Sequence, residues 1–298
     1  MKKILIIGSK TTDDGETEQM GQYAAFFAGQ LEDAQVSFVH FDELSFVILS
    51  DEYRIKDHRN GLPLDEYNLI IFRGKIRSNS ELAYCISRFC VQKNITFLND
   101  YTPYRAASKV AQAVTFCELN VPSAKTVYAS QPTILKEVIS SELTFPFVLK
   151  DSYGAHGHDN YLVKSQEELE EILAHSPAVK FIAQSFFPNK CDYRILCVGD
   201  KELVIRRSAV GDSHLNNTSQ GGKAELVPSA FFPAQAMQEA HTIADFLKMS
   251  IAGVDLLYNE ETKQYAFLEV NSQPQLKSGA FPEEKQKLVS DFLRTLLH

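Results

Sequence analysis

Three oxygen-bearing side chains near the C-terminus have the types and the spacing of a metal site. Glu269 and Asn271 lie two residues apart in the apolar run Phe267–Asn271, so in a strand they point to the same face. Asp255 ends an earlier apolar run. Carboxylate and amide oxygens suit Mg²⁺, which also favours substrate phosphates as ligands. The alternative interpretation of the pair is a solvated strand face.

A lysine followed by a glycine turn is a candidate phosphate site. Lys150 ends the apolar run 146–150, and Gly154 and Gly157 lie in the turn before the strand that we predict over Asn160–Val163. Glycines let backbone N–H groups approach phosphate oxygens closely, and the lysine supplies a positive charge. Strand, glycine turn and strand predict a hairpin rather than the strand-to-helix turn of a P-loop.

Three arginines lie in two apolar runs that a short glycine turn joins. Arg194 belongs to the first run together with Asp192, and Arg206 and Arg207 belong to the second. An arginine inside an apolar strand is costly unless it pairs with an acid or holds an anion. Structural ion pairs and anion binding therefore both stay open for these side chains.

Two further segments carry polar groups that can meet a substrate. The loop 216–223 contains Asn217, Gln220 and two glycines, so its amides can reach a phosphate or a metal-bound oxygen. Arg73 follows the apolar run Asn68–Phe72, at the end of a predicted strand. For Arg73, a surface charge at a turn and a ligand for a substrate carboxylate are equally supported.

The elements around these residues alternate in the order of an α/β protein. Over the first hundred residues, strand-length apolar runs alternate with helical patterns, which predicts a small parallel sheet with helices on both faces. Beyond it, the runs 181–187, 192–198 and 202–207 predict an antiparallel sheet. Turn clusters near residues 99–103 and 176–177 predict three units, over 1–101, 102–178 and 179–298. The expected fold class is α/β with α+β units.

Composition excludes several classes of function. The 298 residues carry a net charge of -8, which argues against a general affinity for nucleic acids. No apolar stretch approaches the roughly 20 residues of a membrane span. The five cysteines are odd in number and include no C-x-x-C, which is typical of reduced cytoplasmic thiols rather than of disulfides or a zinc site. We therefore expect a cytoplasmic enzyme that binds neither nucleic acid nor membranes.

Together the candidate motifs follow one order along residues 107–276. They are Ser108-Lys109, Phe147-Val148-Leu149-Lys150, Gly154-x-x-Gly157, Ala183-Gln184-Ser185-Phe186, Asp192-x-Arg194, Gly199-Asp200-Lys201, Asn217-Thr218-x-x-Gly221-Gly222-Lys223-Ala224-Glu225, Ala252-Gly253-Val254-Asp255 and Glu269-Val270-Asn271-x-x-Pro274. In this order and spacing the chain resembles the ATP-grasp ligases, most closely the RimK-like group of ribosomal-protein glutamate ligase and the lysine-biosynthesis ligase. The first hundred residues resemble the family's variable pre-grasp domain only in their α/β pattern.

The resemblance implies an ATP-grasp fold and a reaction. ATP phosphorylates a carboxylate, an amine attacks the acyl phosphate, and an amide forms with release of ADP and phosphate. The expected partners are ATP, a carboxylate substrate and an amine substrate, drawn from amino acids, peptides or protein tails. One or two Mg²⁺ ions are the expected metal, with Mn²⁺ as an alternative. The oligomeric state stays open, and homo-oligomers are common in such folds.

The resemblance also implies a role for each candidate residue. The ATP-binding residues are Lys109, Lys150, Gly154, Gly157, Gln184, Ser185, Phe186, Phe187, Asp192 and Arg194, with the lysines at the phosphates and 184–187 at the adenine. The metal ligands are Asp255, Glu269 and Asn271, the catalytic residues are Arg207 and Asn217, and the substrate contacts are Arg73, Arg206 and Gln220.

Two alternatives to a ligase stay open. One is a nucleotide-binding regulatory protein that keeps the fold without turnover, and the other is an ATP-dependent phosphotransferase on the same fold. Both lysines and all three metal-ligand candidates are intact, which favours an active enzyme.

Overall fold

The computed structural model describes residues 1–9, 14–31, 33–49, 53–74, 76–101, 108–154, 159–189, 191–208 and 223–297. In chain order its strands are β1 (Lys2–Gly8), β2 (Ala34–His40), β3 (Leu44–Ile48), β4 (Tyr53–Asp57), β5 (Leu62–Pro63), β6 (Leu69–Arg73), β7 (Thr96–Leu98), β8 (Thr126–Tyr128), β9 (Phe147–Asp151), β10 (Asn160–Val163), β11 (Phe181–Ser185), β12 (Cys191–Val198), β13 (Lys201–Ser208), β14 (Lys223–Val227), β15 (Ile251–Tyr258) and β16 (Tyr265–Asn271). The helices are α1 (Asp14–Gln30), α2 (Ser80–Lys93), α3 (Lys109–Glu118), α4 (Pro132–Glu142), α5 (Gln166–His175), α6 (Ala234–Phe246) and α7 (Pro282–Leu297).

The first sheet is the parallel α/β unit that the alternating pattern predicts. Its order is β2-β1-β6-β7, and every pairing is parallel. Ile4 and Ile6 pack against α1 and α7 on one face, while Leu5 and Ile7 pack against α2 on the other. Because both faces are covered, β1 reads as a continuous apolar run.

A small antiparallel sheet of order β3-β4-β5 lies beside this unit, and the sequence pattern does not predict it. Its middle strand alternates exposed Arg54 and Lys56 with buried Ile55 and Asp57. One buried apolar residue in five gives too weak a strand signal to distinguish the segment from a loop.

The second main sheet is antiparallel and has the order β10-β9-β11-β8. One face packs on α4 and α5 through Phe147, Leu149, Leu135 and Leu169. The pattern also fails to predict α5, because few of its residues are apolar and only Leu169 and Leu173 are buried. The opposite face of the sheet carries Lys150.

The third main sheet is antiparallel and has the order β14-β13-β12-β15-β16. Its edge strand β14 is a further element that the sequence pattern does not predict. One face packs on α6, with Tyr193 and Val254 in the shared core. At one end of the other face, Leu196 and Ile251 join the core of the first sheet and α7. The rest of that face is free to carry polar side chains.

Among the described helices, none combines the length and the apolar composition needed to cross a bilayer.

Candidate functional site

Charged side chains converge on one face of the five-stranded sheet because alternation and register act together. Asp192 lies opposite Arg207 across β12 and β13, and Arg194 lies opposite Asp255 across β12 and β15. Asp255 is in turn opposite Glu269 on β16. Residues that are directly opposite share a face. Five charges from four strands therefore form one surface.

Two arginines hold the Asp255 carboxylate. Arg194 donates to it through Nε and Nη2, each at 2.7 Å, and Arg207 Nη2 lies 3.1 Å from Oδ2. Arg207 also donates from Nε to Asp192. Burial alone raises the pKa of Asp255, but the two guanidinium groups outweigh it and hold the pKa at about 2. The carboxylate is therefore ionised, and its position is fixed by a two-point bond.

Asp192 belongs to the same network of ion pairs, but the effect of burial on its pKa exceeds that of the neighbouring cations. Burial raises its pKa to about 6, with the Arg207 charge opposing the rise and the Asp255 charge adding to it. Arg194 pairs with Asp255, whereas Arg207 lies within ion-pair distance of both carboxylates.

Lys109 joins this surface to the glycine hairpin. It is the first residue of α3, and Ser108 caps that helix by accepting from the Ala111 N–H at 3.2 Å. The Lys109 N–H donates to the Ser152 carbonyl at 2.9 Å, and Nζ donates to the Gly154 carbonyl. The same Nζ lies 3.8 Å from Glu269 Oε1. The lysine therefore stands between the hairpin and the metal-ligand candidates.

Lys150 lies on the face of the four-stranded sheet that is opposite α4 and α5. Its side chain is buried, and none of the described carboxylates lies within ion-pair distance of it. Burial lowers the pKa of Lys150 to about 8, with the Glu269 carboxylate opposing the shift and the Lys109 charge adding to it. A desolvated lysine without an acidic partner attracts an anion strongly.

The segment expected at the adenine continues from the same sheet. Gln184 is buried and lies on the face of Lys150, where its Nε2 donates to Thr126 Oγ1 at 2.7 Å. Ser185 Oγ accepts from the Lys125 N–H at 3.1 Å. Phe186 and Phe187 follow the strand and are half-buried. Gln184 and Ser185 thus tie the start of this segment to β8 and the residue before it.

Two buried amides that the sequence patterns do not identify hold β16, which carries Glu269 and Asn271, and the start of β15. Gln112 of α3 donates to the Val270 carbonyl at 3.0 Å and accepts from the Val270 N–H at 2.9 Å. Asn99 makes the same pair of bonds to the backbone of Ile251 and also donates to the Ser272 carbonyl. Buried amides carry no sequence signal of their own, since their partners are backbone groups distant in the chain.

The oxygen donors on this surface fit Mg²⁺. Among the described side chains, Glu269 makes only the long contact to Lys109, so its carboxylate is available. The arginines leave one acceptor position on Asp255 Oδ1. Asn271 Oδ1 accepts from the Gln273 N–H at 2.8 Å and keeps a second acceptor position. The described chain contains no cluster of three His, Cys, Asp or Glu, so the set is two carboxylates and an amide.

One of the expected substrate contacts, Arg206, lies away from the charged surface. Arg206 lies on the opposite face from Arg207, where it pairs with Glu225 at 3.0 Å and lies 3.8 Å from Glu260. The structure therefore does not bring it to the site, because adjacent strand residues face opposite sides.

Arg73 is buried, so it is not the surface charge that was one of its two interpretations. Its Nη2 donates to the Pro274 carbonyl at 2.9 Å and to the Tyr23 hydroxyl at 3.3 Å. Its role toward a substrate stays a prediction. Gly157, Asn217 and Gln220 lie outside the described residues.

Comparisons with known proteins agree with this geometry. A family model described as a RimK-like ATP-grasp domain matches residues 106–285. A "Probable alpha-L-glutamate ligase" of Parasynechococcus marenigrum is 28% identical over 228 residues, which cover 74% of this chain and 47% of that protein. A protein of the same name from Methanococcoides burtonii is 29% identical over 157 residues, covering 51% of this chain and 50% of that protein. The chain thus spans about half the length of these curated relatives.

A solved structure extends the likeness over the whole fold. It is the RiPP-associated ATP-grasp ligase of Chryseobacterium gregarium in complex with ADP and a leader and core peptide. The TM-score is 0.71 at 16% identity, covering 99% of this chain and 97% of that chain. This likeness confirms the expected ATP-grasp fold, and the family model covers more than half of the sequence. The chain belongs to the RimK-like ATP-grasp family.

Proposed function

We propose that the chain is an ADP-forming ligase that joins a carboxylate to an amine at the expense of ATP. The observation that carries this proposal is the pairing of two opposed surfaces. Lys109 and Lys150 stand on the hairpin side, and the ionised Asp255 and the available Glu269 form the other side. Two cations opposite two carboxylates suit a nucleotide phosphate chain held together with a divalent metal.

The lysines contribute binding and charge neutralisation. Protonated Lys150 is desolvated and has no acidic partner among the described residues, so a phosphate oxygen is a favourable neighbour for it. Lys109 donates to a hairpin carbonyl and would supply a second positive charge to a bound phosphate. Asp255, Glu269 and Asn271 would hold Mg²⁺. When bound, Mg²⁺ neutralises the phosphate charge that develops during transfer.

Arg207 is the candidate for stabilising the transferred phosphoryl group. It is fixed by Asp192 and Asp255, so its guanidinium is positioned before substrate arrives and needs no reorganisation during the reaction. The substrate carboxylate would attack the terminal phosphorus and release ADP. The amine would then attack the acyl carbon, phosphate would leave, and an amide would form. The protein supplies position and charge.

The names of similar proteins support substrates of the amino-acid or peptide class. Two relatives are named as glutamate ligases, and a ligase of the same fold was solved with a leader and core peptide. We therefore propose that at least one of the two substrates is an amino acid, a peptide or a protein tail.

A product screen tests the proposal. Amino acids and peptides are offered in pairs with ATP and Mg²⁺, and ADP, phosphate and the amide are measured, with hydroxylamine added separately to trap an acyl phosphate as a hydroxamate. Equal amounts of ADP, phosphate and amide are expected. AMP and pyrophosphate would contradict the acyl-phosphate route. A phosphorylated product without free phosphate would identify a phosphotransferase, and the absence of turnover with every pair would favour the regulatory protein.

A further inference from the structure

The outer edge of β16 is covered by two elements from outside the sheet. β16 is an edge strand, so only its inner side pairs with β15. On its outer side, the Phe267 N–H donates to the Pro122 carbonyl at 2.8 Å, and both backbone groups of Val270 bond to the Gln112 amide. Gln112 thus replaces a missing neighbouring strand at one position.

That position lies between two metal-ligand candidates. Glu269 and Asn271 flank Val270, and the register of β15 and β16 shifts immediately beyond Glu269, between Asp255 and Leu256. A bulged ladder is a weak support on that side of the strand. With both backbone groups of Val270 held, the directions of the side chains on either side of it are fixed as well.

The side-chain amide of Gln112 is committed to these two bonds. Gln112 is buried, and both of its side-chain polar atoms are used on Val270. Its helix, α3, begins three residues earlier at Lys109, whose backbone and side chain contact Ser152 and Gly154 of the hairpin segment. The first turn of α3 therefore spans from the hairpin to the metal-ligand strand.

We propose that Gln112 is a positioning residue for the metal site, because it fixes the strand that carries Glu269 and Asn271 at a set distance from the hairpin. The inference rests on the metal assignment in the proposed function. Residues that orient metal ligands without touching the metal change its affinity by about 10-fold to 100-fold when they are substituted.

Metal affinity without turnover is the decisive measurement. Mn²⁺ binding is followed by electron paramagnetic resonance in the wild-type protein and in Gln112→Met, which fills the same volume without hydrogen bonds. We expect Mn²⁺ to bind about 10-fold more weakly in the variant. Hydrogen exchange at the Val270 amide should become faster, because that N–H loses its acceptor. ATP binding in the presence of EDTA should stay unchanged.

Two further variants separate positioning from general destabilisation. Gln235→Met removes an exposed glutamine whose Nε2 donates to Glu239 at 2.8 Å, and it should leave Mn²⁺ affinity unchanged. Gln112→Asn keeps the amide but is one methylene too short, so it should weaken Mn²⁺ binding as Gln112→Met does, even if the latter fails to fold.

The outcomes distinguish this inference from the proposal it rests on. Equal Mn²⁺ affinity in the wild type and a folded Gln112 variant would overturn the positioning role alone. A parallel loss of Mn²⁺ and metal-free ATP binding would also overturn it, since that pattern indicates general disruption. A wild-type protein that binds no Mn²⁺ would refute the metal assignment itself and the inference with it.

Discussion

The two sheets at the site differ in whether their buried charged side chains have ionic partners. On the five-stranded sheet, Asp192 and Asp255 are each within ion-pair distance of Arg207, and Arg194 completes the set. On the four-stranded sheet, Lys150 is buried without an acidic partner among the described residues. The first surface pairs four of its five charges internally, whereas the second holds a desolvated cation. We therefore expect that the ion-paired surface is assembled before any ligand binds, whereas the surface of Lys150 is completed by a bound anion.

The largest effect, a loss of turnover, should follow from removing the carboxylate of Glu269. Glu269→Gln is expected to lower turnover by about 10³-fold, because a developing phosphate charge loses its metal counterpart. The fold should persist, since the side-chain contact of Glu269 within the described part of the chain is the 3.8 Å approach to Lys109. Phosphate release and a thermal melt measure the two properties. The matched control is Glu261→Gln at an exposed turn, and near-normal activity in Glu269→Gln would refute the metal assignment.

The stability of the protein should depend on Arg207, the cation that Asp192 and Asp255 share. Arg207→Met is expected to lower the free energy of unfolding by about 3 to 5 kcal/mol, because it leaves buried Asp192 without its ion-pair partner and Asp255 with Arg194 alone. Urea denaturation measures the change. Arg206→Met is the neighbouring control and should cost less than about 1 kcal/mol, since its ion pairs are partly exposed. Equal losses of unfolding free energy in the two variants would contradict the placement of Arg206 and Arg207 on opposite faces of the sheet.

At Lys150, in contrast, removing the charge is expected to raise the free energy of unfolding rather than to lower it. Lys150→Met should weaken ATP binding by about 30-fold, equivalent to about 2 kcal/mol, because a charged phosphate partner is removed. The same variant should raise the free energy of unfolding by on the order of 1 kcal/mol, because it removes a buried unpaired charge. Calorimetry and urea denaturation measure these, with exposed Lys164→Met as control. A destabilised Lys150→Met would show that Lys150 is structurally paired.

The smallest effect concerns pH. The folded-state pKa of Lys150 is about 8, below the ordinary lysine value of 10.5, so the protein loses this proton before the unfolded chain does. Between these values the unfolded state binds more protons, and the Lys150 contribution to stability therefore rises with pH. ATP affinity should instead fall several-fold as pH increases above 8, because phosphate binding needs the protonated lysine. Lys150→Arg stays charged and should abolish this fall in calorimetric titrations; an unchanged profile would assign it to another group.

Much of this arrangement can be predicted from local patterns. The antiparallel pair β12 and β13 follows from the apolar runs 192–198 and 202–207, but the run 181–187, expected in the same sheet, forms β11 of the four-stranded sheet. The alternation that separates Arg206 from Arg207 is a property of any strand. The family resemblance selects the lysines and the acidic residues. The sequence pattern alone does not decide which of two adjacent arginines faces the acids, since that depends on the register with β12 and β15.

The missed features have a common physical origin. Gln112 and Asn99 bond to backbone groups 158 and 152 residues away, and any amide is chemically able to do so. The contrast between Lys150 and the paired acids is equally invisible in sequence, because burial and ion pairing are properties of the folded surface. Short elements such as α5 and β4 are not predicted, because each buries too few apolar residues to produce a hydrophobic periodicity.

The turn between β12 and β13 has a consequence for how the chain can vary. Gly199 has a φ of +57°, and a Cβ at this position would lie 2.6 Å from the ring of Phe292. One inserted residue in this turn would shift the pairing by one and bring Arg206, in place of Arg207, to the face of Asp192. The ionic surface would then lose its shared cation although no charged residue had changed. Insertions and deletions in this turn should therefore be as damaging as substitutions in the site, and the length of the turn is a constraint on any redesign of the protein.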